Sequence, residues 1–254
     1  MFGFSFRNDW SKIRVILIAA PDGNKELDPH ATPIMIDPSQ FHGSLHKGKD
    51  DNDTNCWTSP SGAGFKIRGK NYLKDNSKVV GGDPLLKLIA VDQFKVDKCV
   101  YRIATHQRLQ VPGKPNYSLV LYHASERPVD KDSLLAKFVD GSDMFQEARL
   151  KLIPSIVERA VGTKACLLGK ALTCKYLRQD NFLEIDVDIG SSSAARSVIN
   201  LVMGYVTSIV VDLAILIEAK EEEELPEYIL GTVRLIVLGL ILPSFWSLKG
   251  FIRL

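Results

Sequence analysis

The sequence has almost no excess of charge of either sign, because its 254 residues carry a formal net charge of +2. A chain this close to neutral has no global field that would attract nucleic acid, so we expect no nucleic-acid partner. Cysteine is also scarce, and the four present form neither a CxxC pair nor a Cys/His ligand spacing: Cys56, Cys99, Cys166 and Cys174. They are therefore expected to be small core residues in a reducing compartment.

Recognisable catalytic patterns are missing as well. The sequence contains no GxSxG, HExxH or Walker motif. His42 and His46 lie four residues apart, but without further ligands they do not predict a metal site. His106 and His123 have no Ser or Cys partner in a motif. We therefore expect no metal, no cofactor and no enzymatic activity, although catalytic residues can lie far apart in a sequence.

The composition is that of an ordinary globular protein, with 45% hydrophobic and 24% charged residues. The stretch KGKDDNDTN at 47–55 predicts a solvated loop or a disordered linker. The apolar stretch from Val15 to Ala20 is too short for a signal peptide. The predicted organisation is a poorly ordered segment at 1–55, a folded domain at 56–234 and an atypical apolar tail at 235–254.

The longest apolar run extends from Val198 to Ile217 and has the length of a membrane span. Asp212 would lie inside the hydrocarbon at a cost of roughly 2.5–3.5 kcal/mol, and Gly204 interrupts the run. Many residues after Gly204 are β-branched. Two sets of side chains then alternate along the chain: Val211, Leu213, Ile215 and Ile217 with Asp212, Ala214, Leu216 and Glu218. We predict a helix at 192–203 and a buried strand at about 206–218, with one long buried helix as the alternative.

Shorter patterns predict a sheet with a few helices. Residues 116–124 (NYSLVLYHA) predict a strand, whereas 85–96 fit either a strand or a short helix. Residues 130–153 predict two short helices that are separated at Gly141, and 165–177 with 181–190 predict a pair of strands. The predicted fold class is α+β, a single domain in which a mostly antiparallel twisted sheet packs against a few helices.

Three carboxylates alternate with apolar residues in the second strand of that pair. Glu184, Asp186 and Asp188 would share one face of the strand, with neighbours about 7 Å apart. Such a face could hold a divalent metal or work as an acid–base pair. It is more simply explained as a solvent-facing surface balanced by basic residues across the hairpin: Lys170, Lys175 or Arg178.

Two further segments offer groups that bind anions. GSSSAAR at 190–196 places Ser191, Ser192 and Arg196 at a predicted helix start, which suits a phosphate or lipid headgroup, although serine is also the ordinary N-cap. A basic stretch that includes Tyr72 would suit anionic lipid, or would be ordinary solvated charge: Lys66, Arg68, Lys70, Lys74 and Lys78.

Longer strings carry a family resemblance. CWTSPSGAGFKIRGKNYLKDN (56–76), GGDPLLKLIAVDQFKVDK (81–98), NFLEIDVDIGSSSAARSVI (181–199) and ELPEYILGTVRL (224–235) resemble the C-terminal domain of the plant enhanced disease resistance 2 family. The resemblance extends from about Cys56 to Arg234. It implies a cytosol-facing plant protein at the plasma membrane, endoplasmic reticulum or endosomes, with a START-like lipid-binding architecture as one option.

The chain departs from that family pattern in several places. It lacks the pleckstrin-homology and START regions that often precede the domain, so their binding properties are not carried over. The family usually has additional residues between Arg108 and Leu109 and between Glu158 and Arg159, and a polar ending after Arg234. A missing strand would leave unpaired sheet edges, so the resemblance implies a strained domain.

Three functions are compatible with these observations. The first is a non-enzymatic module of defence or cell-death regulation that binds lipid or associates with an anionic membrane. The second is a protein-interaction domain that uses the acidic loop from Glu221 to Glu224. The third, and the least favoured, is an enzyme that uses Glu184, Asp186 and Asp188.

Overall fold

Three β-sheets and three short helices make up the part of the chain that the structure, a computed structural model, describes. The described residues are 9–18, 45–49, 53, 55–96, 116–125, 129–156, 166–167, 172–179, 182–188, 191 and 208–238. The strands are β1 (Asp9–Ile18), β2 (His46–Lys47), β3 (Cys56–Thr58), β4 (Lys66–Arg68), β5 (Lys78–Val80), β6 (Lys87–Val96), β7 (Asn116–Ala124), β8 (Leu150–Ile156), β9 (Cys166–Leu167), β10 (Thr173–Arg178), β11 (Phe182–Asp188), β12 (Ser208–Ile217) and β13 (Ile229–Leu238). The helices are α1 (Tyr72–Asp75), α2 (Leu134–Asp140) and α3 (Asp143–Glu147).

The two large sheets are mostly antiparallel. The first has the strand order β10-β11-β1-β7-β6, and the second has the order β2-β3-β13-β12-β8-β9. Among the described strands, only the pairs β1/β7 and β2/β3 run parallel. The predicted α+β class with a mostly antiparallel sheet is therefore confirmed, but the strands form two large sheets rather than one.

The main core lies where the two large sheets contribute alternate residues to one apolar cluster. Val15 and Leu17 of the first sheet belong to the same cluster as Leu213 and Ile215 of the second. Successive side chains on a strand point to opposite faces. Accordingly Ile16 and Ile18 belong to a second cluster, on the other face of the first sheet.

A small third sheet covers the outer face of the second large sheet. β4 and β5 pair antiparallel, and Phe65 and Ile67 are buried there against Ala214 and Leu216. Both side chains therefore face the second large sheet. The third sheet thereby fixes the basic stretch against the body of the protein.

Two helices follow β7, as predicted, and each begins at a serine cap, but the prediction of helix up to residue 153 is wrong because β8 begins at Leu150. The Ser133 hydroxyl accepts a hydrogen bond from the Ala136 N–H at 3.1 Å, and the Ser142 hydroxyl accepts one from the Phe145 N–H at 3.3 Å. Such caps satisfy N–H groups that have no partner within the helix. α2 ends just before Gly141 and α3 begins just after it, and α2 buries its apolar face through Leu134, Leu135 and Phe138.

The long apolar run contains a strand, as predicted. β12 occupies Ser208–Ile217 between β13 and β8, so its backbone is paired on both edges. Asp212 is bound by Arg234, its register partner on β13, at 2.7 and 2.9 Å. The predicted helix at 192–203 lies outside the described residues. Within the part of the chain that is described, no helix is long and apolar enough to cross a membrane.

The expectation that the chain is poorly ordered before residue 56 is wrong for Asp9–Ile18. These residues form β1, the middle strand of the first sheet. The apolar run from Val15 to Ile18 is only four residues long and precedes a polar segment, so the sequence alone does not predict a buried strand there. Its burial depends on strands that lie far away in the sequence. Leu45 to Lys49 are also described, and β2 lies among them.

Two other expectations need adjustment. The segment 165–177, predicted as one strand, is divided between the sheets, because β9 pairs with β8 whereas β10 pairs with β11. At the other end, β13 continues to Leu238, beyond the predicted start of the apolar tail. The two positions where family residues are missing lie outside the described residues, so the predicted strain stays a prediction.

Candidate functional site

The basic stretch folds into a compact unit of two strands and one helical turn, which we call the basic unit (residues 66–80). β4 leads through Gly69 into α1, which ends at Asn76 in the left-handed conformation with φ 57°. The Asp75 carboxylate then accepts a hydrogen bond from the Ser77 N–H at 2.8 Å. Hydrogen bonds from the Ser77 side chain and backbone lower the pKa of the Asp75 carboxyl below its ordinary value. Local turn chemistry therefore directs β5 back alongside β4.

Arg68 joins the basic unit to the segment that connects β12 and β13. Its guanidinium donates to the Ala219 carbonyl at 2.6 Å and lies 3.1 Å from the Glu218 carboxylate. The same guanidinium stacks on Tyr72 at 4.6 Å from the ring centre. Arginine suits this position because its planar group can donate to several oxygens while its face packs on an aromatic ring.

Glu227 lies at the centre of the connection and is only 3% exposed. Its carboxylate accepts hydrogen bonds from the Lys151 ammonium at 2.7 and 2.9 Å, the Arg68 N–H at 3.0 Å and the Ala219 N–H at 3.3 Å. In return, the Glu227 N–H donates to the Arg68 carbonyl at 3.0 Å. A buried carboxylate is tolerated when its oxygens are bonded in this way.

A second ion pair holds the acidic loop, residues 221–224. Arg149 donates to the Glu224 carboxylate at 2.6 Å and to the Glu218 carbonyl at 3.2 Å. The Glu224 carboxylate also accepts from the N–H groups of Lys220 and Glu221, at 2.7 and 3.1 Å. Burial acts to raise the pKa of the Glu224 carboxyl, but the hydrogen bonds from Arg149 and from these two backbone groups outweigh it and hold the pKa below its ordinary value.

The predicted anion-binding lysines divide into two groups. Lys70 donates to the Leu225 carbonyl at 3.1 Å, and Lys74 lies 3.1 Å from Glu222, although both lysines are exposed at the surface. Lys66 and Lys78 are exposed on the two strands of the hairpin. The basic unit therefore combines a structural arginine with lysines that face solvent.

Exposed apolar side chains accompany those lysines. Val80 is 62% exposed and lies opposite Lys66 in the β4/β5 register, so both project from the same face of the hairpin. Leu73 of α1 is 47% exposed and Val79 is 43% exposed. The basic unit thus displays positive charge and apolar surface together.

The predicted site residues at 191–196 do not all lie within the described part of the chain. Ser191 is exposed, and its hydroxyl accepts from the Thr173 N–H at 2.9 Å and donates to the Asp188 carbonyl at 2.6 Å. This bonding ties Ser191 to the ends of β10 and β11. Ser192 and Arg196 are outside the described residues, so anion binding by these three residues stays a prediction.

The three alternating carboxylates share one face of β11, as the pattern predicts, but two of them are buried. Glu184 is 0% exposed and Asp186 is 3% exposed. Asp186 lies in register with Lys175 on β10, one of the partners expected across the hairpin, whereas Arg178 donates to the Gly141 carbonyl instead. No group of three metal-binding side chains occurs within the described ranges.

No sequence pattern singles out His123 as a core residue. It is fully buried, and within the described part of the chain no side chain bonds to either ring nitrogen. The ring packs so tightly against Gly231 of β13 that a Cβ atom there would overlap it. Burial lowers the pKa of His123 from 6.5 to about 4, so the ring is neutral at ordinary pH.

Two of the four cysteines are described with their side chains, and both are buried thiols, as predicted: Cys56 and Cys174. Burial raises the pKa of the Cys174 thiol to about 12. A thiol that stays protonated is a poor nucleophile and metal ligand. Cys174 is therefore a core residue.

Comparison with known proteins identifies the family of this chain. Residues 57–238 match the family described as "Protein ENHANCED DISEASE RESISTANCE 2, C-terminal". The chain belongs to this family. It is also 42% identical over 236 residues to the Arabidopsis thaliana protein named "Protein ENHANCED DISEASE RESISTANCE 2-like". That alignment covers 84% of this chain but only 32% of the relative, so the chain spans about a third of the relative's length.

The family match covers β3 to β13 and therefore includes the basic unit, the acidic loop and their ion pairs. β1 lies outside it. The family assignment made from the sequence strings is confirmed. No solved structure matches the chain, so the START-like architecture stays a prediction.

Proposed function

We propose that this chain is a non-enzymatic regulatory module that associates peripherally with anionic membranes through its basic unit. The observation that carries the proposal is the joint display of Lys66, Lys78 and the 62% exposed Val80 on one hairpin. Lysines contact lipid phosphates, while neighbouring apolar side chains enter the interface between headgroups and acyl chains. The family and relative names, which refer to disease resistance, support a role in plant defence.

The expected binding is weak and reversible. Each lysine near an anionic surface contributes about 1 kcal/mol, so Lys66 and Lys78 together contribute about 2 kcal/mol. Partial burial of the exposed apolar side chains adds a similar amount at most. Glu221, Glu222 and Glu223 are exposed beside the unit and oppose binding. The balance corresponds to a peripheral protein that binds when the membrane carries sufficient negative charge.

Liposome co-sedimentation tests this proposal directly. The chain should sediment with vesicles that contain about a third phosphatidylserine, far more than with phosphatidylcholine alone, and added salt should reduce the binding. Lys66→Glu with Lys78→Glu should abolish it. Lys137→Glu, a charge reversal on the exposed side of α2, is the matched control and should retain it. The proposal is refuted if anionic and neutral vesicles bind equally, or if the control loses as much binding.

A second candidate function is a protein-interaction domain without lipid binding, and the exposed acidic loop favours it. Glu221, Glu222 and Glu223 are exposed, whereas Glu224 is engaged by Arg149. A variant in which the charge of the loop is reversed should therefore keep Glu224, because replacing it would also break the ion pair with Arg149. The test compares the parent chain with the triple variant Glu221→Lys, Glu222→Lys, Glu223→Lys for binding to a fluorescent lysine-rich peptide. A loss of affinity in the variant supports a protein-interaction function of the loop. Equal affinities would remove it.

A further inference from the structure

β1 is the element that joins the two halves of the first sheet. It runs parallel to β7 from the pair Asp9/Asn116 to the pair Ile18/Ala124, and antiparallel to β11 from Lys12/Asp188 to Ile18/Phe182. In the strand order of this sheet, β1 lies between β7 and β11, which are not paired with each other in the described part of the chain. Without β1, each would present an unpaired edge.

This joining strand comes from outside the family match. Residues 57–238 match the family and contain β6, β7, β10 and β11, the four other strands of the first sheet. β1 ends at Ile18, and the next described residue is Leu45. The matched part of the chain therefore forms a sheet whose centre is supplied by a segment that lies well before it in the sequence.

The last four residues of β1 are apolar on both faces of the strand. Val15 and Leu17 enter the main core, while Ile16 and Ile18 enter the cluster on the opposite face, and all four are buried. A strand that is covered on both sides needs a continuous apolar run of this kind. The space between β7 and β11 therefore selects an extended peptide with β-branched or aliphatic residues at successive positions.

We propose that the space between β7 and β11 is a strand-binding site, and that residues 9–18 occupy it as a ligand carried on the same chain. The chemistry is that of strand addition, in which main-chain hydrogen bonds give affinity and the alternating side-chain contacts give specificity. β1 differs from strand addition at a sheet edge because it is bonded on both sides. Its attachment through the chain gives it a high effective concentration, which keeps other peptides out.

A nicked full-length chain tests this site. A specific protease sequence inserted between Gly23 and Asn24 allows the chain to be cut after folding. The fragment that contains β1 should then stay bound and co-elute with the remainder in gel filtration under native conditions. An excess of a synthetic peptide of residues 9–18 should release the fragment and take its place. The same peptide with Ile16→Pro should not, because proline removes a main-chain donor.

Two proline variants of the nicked chain provide a matched comparison. Ile16→Pro should speed release of the fragment at least about tenfold, since Ile16 is paired with both neighbouring strands. Ser11→Pro should have little effect, because Ser11 lies at the bulge and has no register partner in either ladder. The proposal is overturned if the wild-type fragment separates at once, or if the two prolines act alike. It is also overturned if the nicked chain aggregates even with excess peptide 9–18.

Discussion

The substitution Glu227→Gln removes the negative charge from the most buried part of the network around the basic unit. Lys151 is 6% exposed and lies 2.7 Å from the Glu227 carboxylate, so in the variant its ammonium stays buried without a compensating charge. Arg68 is affected less, because it keeps Glu218 at 3.1 Å. The main cost of the substitution therefore falls on Lys151.

Breaking a buried ion pair by removing one partner costs about 3–5 kcal/mol of folding free energy. The whole stability of a domain is about 5–15 kcal/mol, so Glu227→Gln should remove a large part of it. In a chain of this size the midpoint of thermal unfolding should fall by about 10 °C. Replacing Lys151 as well, as in Lys151→Met with Glu227→Gln, should recover much of the loss, because no unpaired charge remains and the amide oxygen can still accept from the N–H groups of Arg68 and Ala219.

Urea unfolding followed by circular dichroism measures these differences. Lys74→Ala is the matched control, since Lys74 and Glu222 also link the basic unit to the acidic loop, at 3.1 Å, but with side chains 68% and 58% exposed. That change should cost less than about 1 kcal/mol. If Glu227→Gln destabilises the protein no more than Lys74→Ala, the argument that burial makes the Glu227 pair important is wrong.

Three further predictions concern the core and the helix caps. Because burial lowers the pKa of His123 from 6.5 to about 4, only the unfolded ring takes up a proton between these values, and stability should fall by up to about 3 kcal/mol as the pH drops through that window. Denaturation at a series of pH values should show that His123→Leu loses this component; an unchanged slope would contradict it. Gly231→Ala should cost about 1–3 kcal/mol through overlap with the His123 ring, and less in a His123→Ala background, which a double-mutant cycle measures. Ser133→Ala should cost about 1 kcal/mol by removing the cap of α2, whereas an effect near zero would argue against that hydrogen bond.

The candidate site was only partly predictable. The basic stretch and the acidic loop are both visible in the sequence, and each was identified as a charged surface segment. The sequence does not show that Arg68 packs against Glu218 and Ala219, because no local periodicity relates residues so far apart. These contacts hold Arg68 within the fold, so it is a structural residue. Lys66 and Lys78 stay exposed.

Local patterns sufficed wherever a segment's own residues determine its conformation. The alternation in NYSLVLYHA predicted β7, the β-branched run after Gly204 predicted β12, and the serines before α2 and α3 set the starts of those helices. These features depend on side-chain direction and on backbone groups a few residues away. A single sequence contains that information.

The tertiary structure alone decided which segments come together. The run around Val15 to Ile18 is too short to stand out in a polar N-terminal region, yet it becomes the middle strand of a sheet because β7 and β11 both leave an edge for it. His123 likewise becomes a neutral core residue only because Gly231 of the other sheet lies against it. Burial and pairing across long sequence separations depend on the whole fold, and no local pattern records them.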